Sequence, residues 1–169
     1  MLKKIPKSEW HNSQRGYFAG LLYNTMIDDP DIWLIVGDLG FGMFDRIKED
    51  FPERYINVGA AEFAGVGICV GLALEHKKPF FYTITPFYFR AFEMIRTYID
   101  HEKIPVILIG SGRGDDYKHD GFSHYAGDDF ILKEFKNIHC CWPDTIEEME
   151  SAFISALKDK FPTYINLRR

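Results

Sequence analysis

Apolar runs alternate with helical patterns along the whole chain of 169 residues. Buried β-strands are predicted where short apolar runs occur, at residues 32–36, 55–58, 80–84, 106–109, 138–142 and 164–167. Helices are predicted where amphipathic or small-residue patterns occur, at residues 13–26, 62–75, 87–100, 128–136 and 145–158. This alternation is typical of βαβ units, so we expect an α/β fold that is doubly wound, with a mainly parallel sheet and helices on both faces. The length suits one domain over residues 1–169.

Unusual chemistry concentrates in the loops that follow the predicted strands. Ligands of parallel sheets bind beyond the carboxyl ends of the strands, which here lead into residues 37–44, 58–62, 83–89 and 110–127. Glycines 110, 112 and 114 make the last loop similar to a phosphate-binding loop. However, Asp115 and Asp116 follow where a nucleotide-binding loop needs a helix N-terminus. We therefore interpret residues 110–127 as an active-site loop rather than a dinucleotide site.

Composition and charge exclude several classes of partner. The net charge is -5 and lysines and arginines are scattered, so neither nucleic acid nor an anionic membrane is an expected partner. The longest apolar stretch, residues 63–74, is too short to span a bilayer. Cys69, Cys140 and Cys141 have no metal-site spacing, and we expect the last two to be buried free thiols in a reducing compartment. A cytoplasmic protein without a metal site is the expectation.

Two local groups carry candidate chemistry. Glu62 begins a predicted helix among small apolar residues, so its carboxylate is expected in a dry site where it needs a partner. A surface glutamate that stabilises the helix dipole is the alternative interpretation. Residues 119–124 place His119, Asp120 and His124 in one loop, where they suit acid–base chemistry on a polyol or carbonyl substrate. The alternative there is a solvated loop, and no third ligand is spaced for a metal.

Several segments together resemble the pyrimidine-binding domain of transketolases and deoxyxylulose phosphate synthases. These segments keep the order and spacing found in that family. They are residues 51–62, 79–80, the region of Phe87, 90–96, 120–124 and 162–167. The first segment is similar to the family motif that ends in an activating glutamate, here Glu62. The resemblance extends over nearly the whole chain, and it implies the same doubly wound α/β fold that the alternation predicts.

The resemblance implies a thiamine diphosphate site. In that family the matching glutamate, here Glu62, hydrogen-bonds N1′ of the pyrimidine and favours the imino form that takes the thiazolium C2 proton. Phe87 matches the aromatic residue that stacks on the pyrimidine. Ile84 and Asp38 are assigned to the same cofactor site, although Ile84 stands where many relatives carry a second aromatic residue.

The resemblance also implies a substrate site. Asp120 and His124 match residues that contact the hydroxyls of a donor sugar, and we assign His124 a catalytic role beside Glu62. Arg15 and Arg169 fall where the family has arginines for a substrate phosphate, although Arg169 is the last residue and chain ends commonly fray. Gly42 stands where some relatives carry a phosphate-binding serine, so the preference for a phosphorylated substrate stays open.

A second chain is the remaining implication of the resemblance. In that family the cofactor lies between the pyrimidine domain and a diphosphate domain, whose Gly-Asp-Gly motif this chain lacks. We therefore expect the smaller subunit of a two-component transferase that moves ketol units between sugar-like substrates, in which the partner holds Mg²⁺ and the assembly is α2β2. A component of a 2-oxoacid decarboxylase or dehydrogenase, and a non-catalytic partner subunit, are the alternatives.

Overall fold

The computed structural model describes residues 2–125, 132 and 134–169. Within these residues one sheet has the strand order β2-β1-β3-β4-β6-β5. The strands are β1 (Ile32–Val36), β2 (Tyr55–Asn57), β3 (Lys78–Ile84), β4 (Ile107–Ser111), β5 (His139–Cys141) and β6 (Thr163–Leu167). Every neighbouring pair is parallel, which confirms the predicted α/β class and brings all the carboxyl ends to one edge.

Helices flank both faces of the sheet. They are α1 (Gln14–Asp28), α2 (Asp45–Asp50), α3 (Glu62–Leu74), α4 (Phe92–Met94, continued by the π-helix Ile95–His101) and α5 (Ile146–Lys158). The Ser13 hydroxyl accepts a hydrogen bond from the Gly16 N–H at 3.2 Å, so this serine caps α1. Thr145 and Glu148 form a reciprocal capping box that fixes the start of α5.

Two hydrophobic clusters fill the spaces between the sheet and its helices. Successive strand residues point to opposite faces, so Phe80 enters one cluster and Phe81 the other. In the first cluster, the Phe80 ring stacks on Phe153 of α5 at 5.4 Å and approaches Phe18 of α1 at 6.2 Å. The second cluster packs α3 and α4 through residues such as Ile99. The two clusters pack against opposite faces of the sheet and fix the position of its carboxyl edge.

The predicted helix at residues 87–100 is helical throughout, but only its residues 92–94 are wound as an α-helix. A 3-10 helix, Thr85–Ala91, precedes α4, and Pro86 in its first turn cannot donate a backbone hydrogen bond. The Tyr88 hydroxyl donates to the carbonyl oxygens of Phe81 at 2.7 Å and Ile109 at 3.1 Å, and so ties this segment to the middle of β3 and of β4. Residues three apart lie on the same side of a 3-10 helix, so this winding determines which side chains of the segment lie together in the site.

Other expectations are confirmed only in part. The three cysteines are not joined in disulfides, but Cys140 and Cys141 are half-buried while Cys69 is buried, because β5 lies at the edge of the sheet. Burial raises the pKa of the Cys141 thiol above its ordinary value. The predicted helix at residues 128–136 lies mostly outside the described residues. None of the helices in the described part of the chain has the length and apolar content of a membrane span.

Candidate functional site

The predicted site residues gather at the carboxyl edge of the sheet, where the parallel strands end together. Arg15 lies in α1, Asp38 follows β1, and Glu62 begins α3. Ile84 ends β3 and Phe87 follows it. Asp120 and His124 lie after β4, and Arg169 lies after β6. The topology therefore brings residues that are far apart in the sequence to one edge.

The Glu62 carboxylate is buried at the start of α3. The residue is 1% exposed, so the interpretation as a surface glutamate is wrong. Its Oε1 accepts a hydrogen bond from Arg90 Nη1 at 2.8 Å. Its Oε2 is buried without a partner among the described residues. A buried carboxylate oxygen without a donor is costly, so this position suits a ligand that donates a hydrogen bond.

A glycine keeps the backbone clear beside Glu62. A Cβ atom at Gly37 would lie 3.0 Å from Thr83 Oγ1 and 3.7 Å from Glu62 Cγ. The Thr83 hydroxyl is also buried without a hydrogen-bond partner in the part of the chain that the structure describes. Two unsatisfied polar oxygens thus lie near the same small residue at the end of β1. Sequence reasoning missed Thr83, because a threonine inside a strand gives no signal that its hydroxyl is unsatisfied.

Five side chains form a continuous series of ring contacts that we call the aromatic row: Arg90, Phe87, His124, Tyr117 and Arg169. The Arg90 guanidinium lies 4.3 Å from the Phe87 ring centroid, and the Phe87 and His124 rings meet at 5.1 Å. The His124 and Tyr117 centroids are 6.4 Å apart, and the Arg169 guanidinium lies 4.7 Å from Tyr117. The row joins Phe87, predicted to bind a cofactor, to His124 and Arg169, predicted to bind a substrate.

Arg169 is anchored at the far end of the aromatic row. Its Nη1 donates to Asp120 Oδ2 at 2.9 Å, and its backbone N–H donates to Asp116 Oδ2 at 2.9 Å. The same Asp116 oxygen accepts the Arg113 backbone N–H at 3.0 Å. Asp116 therefore fastens the loop after β4 to the residues after β6. Sequence reasoning noted Asp116 only as part of a charged loop and gave it no place in the site.

Arg15 reaches the aromatic row through Tyr117. Its Nη1 donates to the Tyr117 hydroxyl at 2.9 Å, and Ser111 Oγ lies 2.8 Å from that hydroxyl. Burial raises the pKa of the neighbouring Tyr82 to about 12, although hydrogen bonds with Ser111 and Arg15 act in the opposite direction. These four residues border a cavity of about 580 Å³ that Leu39 and Met43 help to enclose. A cavity of that size is in the usual range for small-molecule sites, but neither Glu62 nor Phe87 lines it.

Asp38 and Ile84 have no side-chain contacts that define a role. Ile84 is 4% exposed at the end of β3, immediately before the 3-10 helix that carries Phe87. Asp38 is exposed and has a φ of 52°, a left-handed conformation that aspartate tolerates better than most residues. Its backbone N–H donates to Asn57 Oδ1 at 3.2 Å, which places it beside Gly37 at the end of β1.

Two further members of the aromatic row were missed by sequence reasoning. Arg90 lies in a segment that resembles the family, yet a role for it depends on the 3-10 winding that stacks it on Phe87. Tyr117 lies in a polar loop and gives no sequence signal. Among the described residues, no three His, Cys, Asp or Glu side chains come close enough together to hold a metal ion. The arrangement offers a buried acceptor, a ring for stacking and charged groups for a polar ligand.

Sequence comparison connects this edge to known proteins. Residues 13–169 match the family described as transketolase, pyrimidine binding domain. One subunit of the apulose-4-phosphate transketolase from Actinobacillus succinogenes is 33% identical over 123 residues, which cover 72% of this chain and 39% of that protein. The putative transketolase C-terminal section of Methanocaldococcus jannaschii is 28% identical over 148 residues, which cover 86% of this chain and 45% of that protein. The chain spans about half or less of the length of these relatives.

Structural comparison agrees with the sequence match. A chain of a split gene transketolase, described as an inactive beta4 tetramer, has a TM-score of 0.80 and 28% identity, and the match covers 93% of this chain and 51% of that one. The transketolase of Campylobacter jejuni has a TM-score of 0.85 at 19% identity, over 98% of this chain and 27% of that one. The second likeness shows that the fold is shared.

Proposed function

The chain belongs to the transketolase pyrimidine-binding domain family, and we propose that it is the smaller subunit of a two-component, thiamine diphosphate-dependent transketolase. The complete enzyme transfers a ketol unit between sugars or sugar-like substrates. The observation that carries this proposal is the buried Glu62 carboxylate, which has one unpaired oxygen and shares a hydrogen-bonding arginine with the Phe87 ring.

The residues present fit the pyrimidine half of thiamine diphosphate. Oε2 of Glu62 is an acceptor without a donor, and a donor at the pyrimidine N1′ would satisfy it. Phe87 offers an aromatic ring for stacking, which contributes about 1 kcal/mol beyond area burial. Gly37 lets the backbone approach without a side chain, beside Asp38 and near the apolar Ile84. When bound, the cofactor supplies the carbon chemistry that cleaves a bond next to a carbonyl.

Glu62 is the proposed catalytic carboxylate of this chain. It would accept a hydrogen bond from a proton at N1′ of a bound pyrimidine, and would so bias the ring towards holding a proton at that atom. Its burial makes this bias effective, because a hydrogen bond to an ionised group is stronger where water does not compete.

The far end of the aromatic row is the proposed substrate site. Asp120 accepts from a sugar hydroxyl and His124 exchanges a proton or a hydrogen bond with another. Arg169 pairs with Asp120 at 2.9 Å, and Arg15 donates to the Tyr117 hydroxyl at 2.9 Å, so a substrate anion would share each guanidinium group with its present partner. The aromatic row supports this division, because His124 touches Phe87 on one side and Tyr117 on the other.

The proposal assigns the diphosphate and its Mg²⁺ to a partner chain, in an α2β2 assembly within the cytoplasm. Relatives described as one subunit of a transketolase and as a C-terminal section support a division of the enzyme between chains. The inactive state described for the beta4 tetramer of a split gene transketolase is the behaviour that we expect of this subunit without its partner.

The test is reconstitution with a chain from the neighbouring reading frame that carries the diphosphate-binding motif. Calorimetry with thiamine diphosphate and Mg²⁺ is expected to show weak binding to this chain and tight binding to the mixture, because Mg²⁺ and phosphate contacts supply much of the affinity. Ketol transfer is expected only from the mixture. Tight cofactor binding by this chain on its own would refute the divided site, and a mixture that binds no thiamine diphosphate would refute the proposed function.

A further inference from the structure

Arg90 contacts the same two side chains, Glu62 and Phe87, that the proposed function gives to the cofactor's pyrimidine ring. Its Nη1 lies 2.8 Å from Glu62 Oε1, and its guanidinium carbon lies 4.3 Å from the Phe87 ring centroid. We propose that Arg90 is a placeholder in the cofactor site, which occupies Glu62 and Phe87 in the free subunit and is displaced when the pyrimidine binds. This inference rests on the proposed function and adds a residue to its cofactor site.

The chemistry of the guanidinium explains why it can fill this place. It is flat and delocalised, it stacks on aromatic rings, and it donates N–H groups from its edge. An aminopyrimidine is also a flat ring that stacks and presents polar hydrogens at its edge. Arg90 lies 4.3 Å from the Phe87 ring centroid and His124 contacts the same ring at 5.1 Å, so a ligand that stacks where Arg90 lies has to displace it.

Burial explains why the free subunit needs such a group. Glu62 is 1% exposed, and a buried carboxylate without a counter-charge is strongly unfavourable. The Arg90 side chain is 50% exposed, so it can swing outwards and carry its charge into water. The fixed group is therefore the carboxylate, and the movable group is the arginine.

Electrostatics favours exchange over simultaneous binding. A ligand that donates N1′–H to Glu62 directs the positive end of that bond at the carboxylate, and a guanidinium on the same carboxylate would repel it. The unpaired Oε2 admits the first approach of the ligand, while Oε1 is still held by Arg90. Displacement of Arg90 then leaves the full charge of Glu62 to the cofactor.

The experiment compares Arg90→Gln with Arg96→Gln in the complex with the partner chain. Arg96 is a matched control, because it lies further along the same segment and pairs with the exposed Glu93 at 2.9 Å. Calorimetry with thiamine diphosphate at saturating Mg²⁺ is expected to show tighter binding for Arg90→Gln. If Arg90 occupies the site about nine tenths of the time, removing it improves the dissociation constant about tenfold. Arg96→Gln is expected to bind as the wild type does.

Thermal denaturation of the free chain gives an independent readout. Arg90→Gln is expected to lower Tm by about 2–4 °C or more, because Glu62 loses its counter-charge. Arg90→Lys provides a second variant if Arg90→Gln does not fold. Lysine keeps the charge beside Glu62 but cannot stack as a flat group on Phe87, so the expected affinity for thiamine diphosphate lies between those of the wild type and Arg90→Gln.

The outcomes separate this inference from the proposed function. Weaker or unchanged thiamine diphosphate binding by Arg90→Gln, or by Arg90→Lys where only that variant folds, overturns the placeholder, and a weaker binding would show that Arg90 stays and supports Glu62 in the loaded site. In that case a wild-type complex that binds the cofactor leaves the proposed function intact. A wild-type complex that binds no thiamine diphosphate overturns the proposed function and the placeholder with it.

Discussion

The two ends of the aromatic row have opposite electrostatic designs. At the first end, Arg90 pairs with the Glu62 carboxylate, which is 1% exposed and has one oxygen without a partner among the described residues. At the second end, Arg169 and Asp120 form an ion pair whose side chains are 48% and 42% exposed, and Asp116 fastens the backbone there. The two arginines are thus about equally exposed, whereas the carboxylate is buried with one unsatisfied oxygen at the first end and exposed at the second.

This difference in burial indicates how each end of the aromatic row can bind a ligand. Charge interactions weaken in water and with salt, so an exposed ion pair contributes about 0–1 kcal/mol and exchanges its partners easily. A buried carboxylate interacts strongly, so its unpaired oxygen selects a ligand with a donor at one position. The Glu62 end is therefore expected to be specific and sensitive to substitution, and the Arg169 end to be adaptable.

Glu62→Gln tests the buried end and has the largest expected effect. Glutamine keeps the size of the side chain but loses the charge that favours the required pyrimidine tautomer. Exchange of the cofactor's C2 proton in the reconstituted complex, followed by NMR, is expected to slow by about 10²-fold or more. Assembly with the partner should persist, and C2 exchange at the wild-type rate would remove Glu62 from the mechanism.

Thr83→Val and Thr85→Val compare an unsatisfied hydroxyl with a satisfied one, two residues apart. Thr85 Oγ1 accepts from Asn166 Nδ2 at 2.9 Å, so Thr85→Val is expected to lower the free energy of unfolding by about 1–3 kcal/mol. Thr83 Oγ1 has no partner in the described chain, so Thr83→Val is expected to be neutral or stabilising by up to about 1 kcal/mol. Urea denaturation of the free chain measures both values. Equal losses of unfolding free energy in the two variants would contradict the finding that the Thr83 hydroxyl has no hydrogen-bond partner in the described chain.

His124→Ala tests the middle of the aromatic row. With a hydroxylated ketose donor, kcat/KM is expected to fall by an amount equivalent to about 0.5–1.5 kcal/mol, while C2 exchange persists. His119→Ala is the control, because His119 is an exposed histidine in the same loop. If His124→Ala lowered only Tm and used every ketose at the wild-type rate, a 2-oxoacid substrate would become the better interpretation.

Asp116→Asn and Asp115→Asn test the exposed end and have the smallest expected effects. Asp116 accepts two backbone N–H groups, whereas Asp115 is exposed and pairs only with Lys118 among its described neighbours. Because Asp116 positions Arg169, we expect Asp116→Asn to raise KM for a phosphorylated substrate by roughly two- to fivefold, equivalent to about 0.5–1 kcal/mol, without changing kcat. Asp115→Asn is expected to leave both constants unchanged. A change in kcat for Asp116→Asn would show that it does more than position Arg169.

Much of the fold and part of the site follow from the sequence. The alternation of apolar runs and helical patterns predicts each strand to within about two residues, because burial on both faces of a parallel sheet requires continuous apolar runs. The importance of Glu62 also follows, since a carboxylate among small apolar neighbours must find a partner when they fold around it. The segments that resemble the family add Phe87 and His124, which the structure brings into contact at 5.1 Å.

The sequence by itself determined which groups reach the carboxyl edge, and only the tertiary structure decided how they pair. Arg90 and Glu62 are 28 residues apart, Arg169 and Asp120 are 49 apart, and Arg15 and Tyr117 are 102 apart. No local pattern encodes such pairs, because each depends on the order of parallel strands that are joined by crossovers on both faces. The 3-10 winding of Thr85–Ala91 is tertiary in the same sense, since the Tyr88 hydroxyl binds carbonyl oxygens of two strands. That winding places Arg90 over Phe87, where its guanidinium also reaches the buried Glu62 carboxylate.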